Sequence, residues 1–338
     1  MLTSELQYSY PAELIAQKPS KSWRALFCKN GDPVEIPQEE VLDLVQPGDV
    51  FVINDTQVLK RRVFTDQGLE ILFLNHLGEN RWQVLFPARK LKPGDQVELP
   101  EAIKMTLVEK GIPQTVEINQ SLTEKYFQQH AELALPPYIQ QAREARRNQI
   151  EDEDWYTTDW GENYGSCAAP TASLHFTNDD LEKLRSKKVE VHGLTLHVGL
   201  GTFLPIRTDD LSGHKMHSEW ASIPSTTLRA IQQCEAQGKT VWALGTTVTR
   251  ALESWAHGYL QTHEDGCATG WTDIFIKPGF EFKCVSGLLT NFHQPESTLM
   301  ALVAAFSGLD NVKRMYAYAV ENKFRLFSYG DLSLWKRK

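Results

Sequence analysis

The chain has 338 residues, 41% apolar and 23% charged, with 35 Lys and Arg against 43 Asp and Glu and a formal net charge of -8. These are ordinary proportions for a globular protein, and the acidic balance argues against a generic nucleic-acid binder while leaving room for a local basic face. The five cysteines, at 28, 167, 234, 267 and 284, show no C-x-x-C spacing, which argues against a disulfide framework or a Cys-based zinc site.

Residues 1–11 are polar with no apolar leader core, and the apolar run 299–306 is too short to span a bilayer, so a cytoplasmic protein without membrane contact is expected. In chain order, EEVLDLVQPGD reads as a short helix closed by the Pro47-Gly48-Asp49 turn, and 50–53 as a compact apolar strand ended by Asn54-Asp55-Thr56. From about residue 60 the pattern changes. LEILFLNHL and RWQVLF alternate around Gly78-Glu79-Asn80, a hairpin signal, and QVEL, KMTLVEK and QTVEI follow without a helix between them. This spacing predicts a small all-β barrel inserted over 61–150. TEKYFQQHAEL is helical, LPPYIQ breaks it, and QAREARRNQIEDED reads as a solvated helix.

From residue 177 strands and helices alternate. Thr177 caps DDLEKLRSK, VEVHGLTLHV is a strand, Ser225 caps TTLRAIQQCEAQ before Gly238, and VWALG leads into TTVTRALESWA. Further strands are expected at 274–276 and 285–289, then helices from Ser297 and over 312–323. The alternation predicts an α/β main domain with a largely parallel sheet, built from 1–60 and 151–338.

The chemistry-bearing residues concentrate between Cys167 and Glu219, where five of the ten histidines lie: His175, His192, His197, His214 and His217. Gly199-Leu200-Gly201 follows a strand, but the dinucleotide fingerprint fails because Leu204 and Pro205 stand where a third small residue should open a helix. His214-x-x-His217 with Glu219 has no third ligand at diagnostic spacing, so no metal site is expected. Gly245-Thr246-Thr247 joins a strand to a helix whose free N–H groups and hydroxyls suit an anionic or polar ligand, while Arg250 and Glu253, at i and i+3, are placed to pair with each other. TNFHQPESTLM and RLFSYGD are two more polar loops at the ends of apolar segments.

These stretches resemble the S-adenosylmethionine:tRNA ribosyltransferase-isomerases of queuosine biosynthesis. The resemblance rests on NDTQVL, LPPYI, AAPTASLHFT, LHVGLGTF, HKMHSE, GTTVTRALES, TDIFIKPGF, LLTNFHQPESTL and FRLFSYGD, in order over nearly the whole chain. Departures include Gln57, Lys60 and Ser173, the last where Gly is usual.

The resemblance implies transfer and isomerisation of the ribosyl part of S-adenosylmethionine onto 7-aminomethyl-7-deazaguanine at the wobble position of tRNA. Adenine and methionine are released, and the product is epoxyqueuosine. It also implies an α/β fold with an inserted barrel, S-adenosylmethionine as a co-substrate, no prosthetic group, and a monomer. The base that removes a proton beside the sulfonium falls among His175, His197, His217, Glu219 and Asp331. The substrate-binding expectation takes Pro170, Thr171 and Phe176 from the first loop, Gly199, Gly201, Thr202 and Phe203 from the second, and then His214. Thr246, Thr247 and Arg250 follow at the helix start, Asn291, Phe292, His293, Ser297 and Thr298 in the later loop, and Tyr329 near the end. Thr246, Thr247 or Asn291 would assist adenine departure, and Glu219, Phe203 or Phe292 would face the sulfonium. The tRNA phosphates are expected at Arg61, Arg62, Arg89, Lys90 and Arg146. The rival readings are a paralogue using the same donor on another acceptor and an RNA-binding protein without chemistry.

Overall fold

Two sheets organise the chain, and the computed structural model describes residues 1–199 and 206–337 of it. The larger sheet has four adjacent parallel strands at its centre, in spatial order Glu190–Leu196, Val50–Asn54, Val241–Leu244 and Gly287–Asn291. Every residue of the last three is buried, as in a sheet covered on both faces. Alternation sorts their side chains. Val50, Val52, Val241, Ala243 and Leu288 enter one core cluster, while Phe51, Ile53, Trp242, Leu244 and Leu289 enter the other. At Gly287 a Cβ would lie 2.3 Å from the Trp242 ring, so only glycine lets that indole lie across the neighbouring strand.

Outside the centre the sheet turns mixed, which corrects the expectation of a largely parallel one. Leu332–Lys336 runs antiparallel beside Gly287–Asn291, followed by Ala25–Lys29 and Asp32–Ile36. Glu219–Ile223, Ala268–Thr272 and Gln261–Thr262 form an antiparallel flank on the other side. Connection length explains the edge pair Ala25–Lys29 with Asp32–Ile36, since the two-residue loop Asn30-Gly31, with φ of 55° and 96°, can only return the chain antiparallel, whereas Leu332–Lys336 follows Gly287–Asn291 only after two helices.

The second sheet has seven antiparallel strands between Lys60 and Leu133, and Phe73, Trp82 and Phe127 meet edge-on in its own core at centroid distances of 5.3–5.5 Å. Its hydrogen-bond ladder ends at Gln96–Leu99 on one side and Ala131–Leu133 on the other. It is therefore a curled open sheet, where a closed barrel was expected. The adjoining Leu133, Leu135 and Ile139 are buried in the main core.

Three local expectations change. The segment after Gln140 is two short helices, Pro137–Ala142 and Asp152–Trp155, because Arg143 turns inward and donates to both oxygens of the buried Asp152 at 2.7 and 2.9 Å. Residues 274–276 are no strand: the Ile274 N–H donates to Thr272 Oγ1 at 3.2 Å, just past Ala268–Thr272. Ser225 begins its helix, with Pro224 at the capping position. Among the described residues no helix is long and apolar enough to cross a membrane.

Candidate active site

The four parallel strands all present their C-terminal ends at one edge of the sheet, the position at which open α/β sheets bind ligands. The loops after Asn54, Leu196, Leu244 and Asn291 therefore gather there. Leu332–Lys336 runs the other way, so the loop that precedes it arrives at the same edge. Between these loops lies a cavity of ≈ 330 Å³, walled by Tyr138, Pro170, Thr171, Glu219, Gly245, Thr246, Thr247, Arg250, Asn291 and the residues following it, and Ser328.

The helix Thr246–Ala256 points its N-terminus into this cavity. Gly245 has φ +95°, a left-handed conformation that lets the strand turn directly into the helix. One turn on, Arg250 pairs through Nη1 with Glu219, whose other oxygen accepts the Gly199 N–H at 2.9 Å. Both side chains are buried. The anticipated Arg250–Glu253 pair does not form, because Glu253 accepts the backbone N–H groups of Lys283, Cys284 and Val285 at 2.8–3.0 Å.

Asn291 lines the cavity and is held from two sides, with Oδ1 accepting from Thr171 Oγ1 at 2.8 Å and Nδ2 facing His175 Nε2 at 3.1 Å. His175 itself lies behind Asn291, edge-on to Trp23. Burial and the nearby Arg325 charge lower its pKa to about 3, with the Gly330 carbonyl opposing, so Nε2 is an acceptor at neutral pH. His293 lines the cavity, bonded to Thr290 Oγ1 at 3.0 Å, and burial lowers its pKa to about 3. His197 sits at a strand end with Nδ1 2.8 Å from Thr56 Oγ1. Burial lowers its pKa and Asp55 opposes the shift, and a Cβ on Gly165 would come within 2.6 Å of Nε2.

The remaining expected residues fall in several places. His214 packs edge-on to Phe275, its pKa lowered by burial and by neighbouring His217; both are partly exposed, with Met216 between them at the cavity wall. Asp331 is buried away from the wall, each carboxylate oxygen accepting a backbone N–H, from Arg24 at 2.9 Å and Arg325 at 2.8 Å, and burial raises its pKa. The Phe292 ring lies in the main core against Tyr316 and Phe324, and Phe176 packs on Trp23. Tyr329 is buried edge-on to Tyr156. Ser297 caps the helix Thr298–Ser307 by accepting the Met300 N–H, and both Ser297 and Thr298 line the cavity. Gly201, Thr202 and Phe203 lie outside the described residues. Among the described residues no cluster of three His, Cys, Asp or Glu suits a metal ion.

The basic residues divide sharply. Arg61 and Arg62 are buried, Arg61 paired with Glu124 and Arg62 with Glu70 at 2.8 Å and Asn148 at 3.0 Å. They knit the curled sheet to its neighbours and offer no exposed guanidinium to a phosphate, contrary to expectation. Arg89, Lys90 and Arg146 are exposed.

Sequence reasoning missed Asn54, Tyr138, Tyr156 and Met216. Asn54 is fully buried and donates to the Leu196 carbonyl at 3.0 Å and to Thr247 Oγ1 at 3.3 Å, tying two strand ends to the start of the helix Thr246–Ala256. Tyr138 and Tyr156 line the cavity, and the LPPYI motif was the signal for the first of them.

A cavity of this kind at parallel strand ends, floored by a helix N-terminus and a buried Arg–Glu pair, defines an α/β protein built to hold a small polar ligand. The queuosine biosynthesis protein family model matches residues 3–335, and the chain belongs to that family. It is 39% identical to the S-adenosylmethionine:tRNA ribosyltransferase-isomerase of Halothermothrix orenii and 36% identical to that of Staphylococcus haemolyticus, covering 99% of both chains in each case. The crystal structure of the S-adenosylmethionine tRNA ribosyltransferase from Thermotoga maritima superposes with a TM-score of 0.56 at 29% identity, over 98% of this chain and 100% of that one.

Proposed function

We propose that this chain is an enzyme of queuosine biosynthesis that transfers and isomerises the ribosyl moiety of S-adenosylmethionine onto 7-aminomethyl-7-deazaguanine at the wobble position of tRNA. Adenine and methionine leave and epoxyqueuosine forms. The observation that carries the reading is the convergence of polar loops, far apart in sequence, on one cavity at the parallel strand ends. The family match over residues 3–335 and relatives named for this activity support it.

The cavity holds the donor. Thr246 and Thr247 at the helix N-terminus supply hydrogen-bond donors to the departing adenine, and Asn291, whose amide is held by Thr171, His175 and Gly330, forms the wall opposite. The proton beside the sulfonium goes to one of the candidate bases His197, His217 or Glu219, of which Glu219 lines the cavity. The curled sheet is a separate domain inserted near residues 61–150. Its exposed Arg89 and Lys90, with Arg146 on the returning segment, meet the tRNA backbone. The enzyme acts as a monomer in the cytoplasm.

The test incubates purified protein with S-adenosylmethionine and tRNA carrying the 7-aminomethyl-deazaguanine, followed by mass spectrometry. Released adenine together with an epoxyqueuosine nucleoside is expected. Adenine with unmodified tRNA would overturn the acceptor assignment, and neither product would overturn the enzymatic one.

A further inference from the structure

Arg250 is 6% exposed and lines the cavity, yet its Nε and Nη2 have no hydrogen-bond partner among the described residues. Buried guanidinium donors left unpaired are costly, so such a pair needs a reason. These two nitrogens form one edge of the planar group, with two parallel N–H bonds at the spacing of a carboxylate's oxygens. Nη1, on the far side, is taken by Glu219. Glu219 in turn accepts the Gly199 backbone N–H at 2.9 Å on its second oxygen, which holds the carboxylate away from the open edge. A purely structural ion pair would close the guanidinium fork. This one fixes the guanidinium plane from behind and leaves the fork toward the cavity.

We infer that the Nε/Nη2 edge of Arg250 is the receptor for the carboxylate of an α-amino acid, with Glu219 as its positioning residue. The inference rests on the donor reading of the cavity, where it assigns the amino-acid end of the donor to the Arg250 side, one helical turn beyond Thr246 and Thr247. Charge supports the assignment. Glu219 already neutralises the guanidinium, so the incoming carboxylate must bring its own compensation, and the ammonium on the same α-carbon supplies it. A purely anionic ligand would leave the buried site with a net negative charge.

The experiment measures calorimetric binding of S-adenosylmethionine and of its decarboxylated analogue to the whole protein, the R250Q variant and the R250K variant. The unaltered protein is expected to bind the decarboxylated analogue roughly 10–100-fold more weakly, the usual range for a charge-assisted bidentate contact. R250Q should lose a similar factor for S-adenosylmethionine and almost nothing for the analogue, and R250K should recover part of the loss. Equal affinity of the unaltered protein for both ligands overturns the receptor without requiring any variant to fold. So does an R250Q loss that is the same for both. Failure of the unaltered protein to bind either ligand, together with no adenine release, overturns the donor cavity itself and this assignment with it.

Discussion

The side chain of Asn54 bonds the main chain of Leu196 in both directions. Its Oδ1 accepts the Leu196 N–H at 3.1 Å, and its Nδ2 donates to the Leu196 carbonyl at 3.0 Å. The backbone pairing of these parallel strands runs only as far as Asn54 with Leu194, so the amide prolongs the ladder where the chains part to form the cavity. Replacement of Asn54 by Leu keeps the branched heavy-atom outline and strands both backbone groups of Leu196 in the interior. The expected loss of unfolding free energy is roughly 2–4 kcal/mol. Urea denaturation monitored by tryptophan fluorescence checks it, and a change below about 0.5 kcal/mol would refute the bridging role.

His175 and His293 set an acid limit. Both have pKa values lowered to about 3 in the folded chain, from an ordinary 6.5. Between those values the unfolded chain takes up protons that the folded chain refuses. The stability they confer is therefore complete above pH 6.5 and is lost as pH falls from there toward 3. Each buried imidazole contributes a fall of up to about 1.4 kcal/mol per pH unit. Urea midpoints at pH 7 and pH 5 should show a marked loss for the unaltered chain and a shallower one for H293Q. Parallel slopes would show that His293 titrates normally.

Arg62 and Arg89 should separate folding from RNA contact. Arg62→Ala leaves Glu70 and Asn148 without the guanidinium that joins them and is expected to destabilise by about 3 kcal/mol, the lower end of the range for breaking a buried pair, since Glu70 is partly exposed. The R89A/K90A double variant should unfold within about 0.5 kcal/mol of the parent. It should bind tRNA more weakly, with the slope of log affinity against log salt reduced by about 1–2. An unchanged salt slope would remove these two residues from the tRNA surface.

Local chemistry was legible where one short stretch decides its own conformation. Gly245-Thr246-Thr247 reads as a strand-to-helix turn because only a left-handed residue makes that corner, and the structure has Gly245 at φ +95°. Thr177 with Asp180 forms the capping interaction its spacing announces. The hairpin at Gly78-Glu79-Asn80 follows from alternation and turn residues, and the strands at 50–54 and 241–244 follow from compact apolar runs bounded by turn residues. The Asn30-Gly31 hairpin carried the same kind of signal and went unread.

Partners chosen across the fold were not legible. Arg250 has an acidic residue at i+3, yet it pairs with Glu219 on a strand that the sheet order brings beside it, while Glu253 turns to three backbone amides. Arg61 and Arg62 look like surface charge in a basic tripeptide and are interior because the curled sheet folds over them.

By itself, then, the sequence determined the central strands and the helices that follow them, which loops are polar, and which family the chain resembles. Periodicity and turn chemistry act within a few residues and need no knowledge of the rest of the chain. The tertiary structure alone decided the mixed direction of the outer strands, the open ladder of the second sheet and the side chains that wall the cavity. Each of these depends on which distant segment arrives alongside, a choice made by the packing of whole faces.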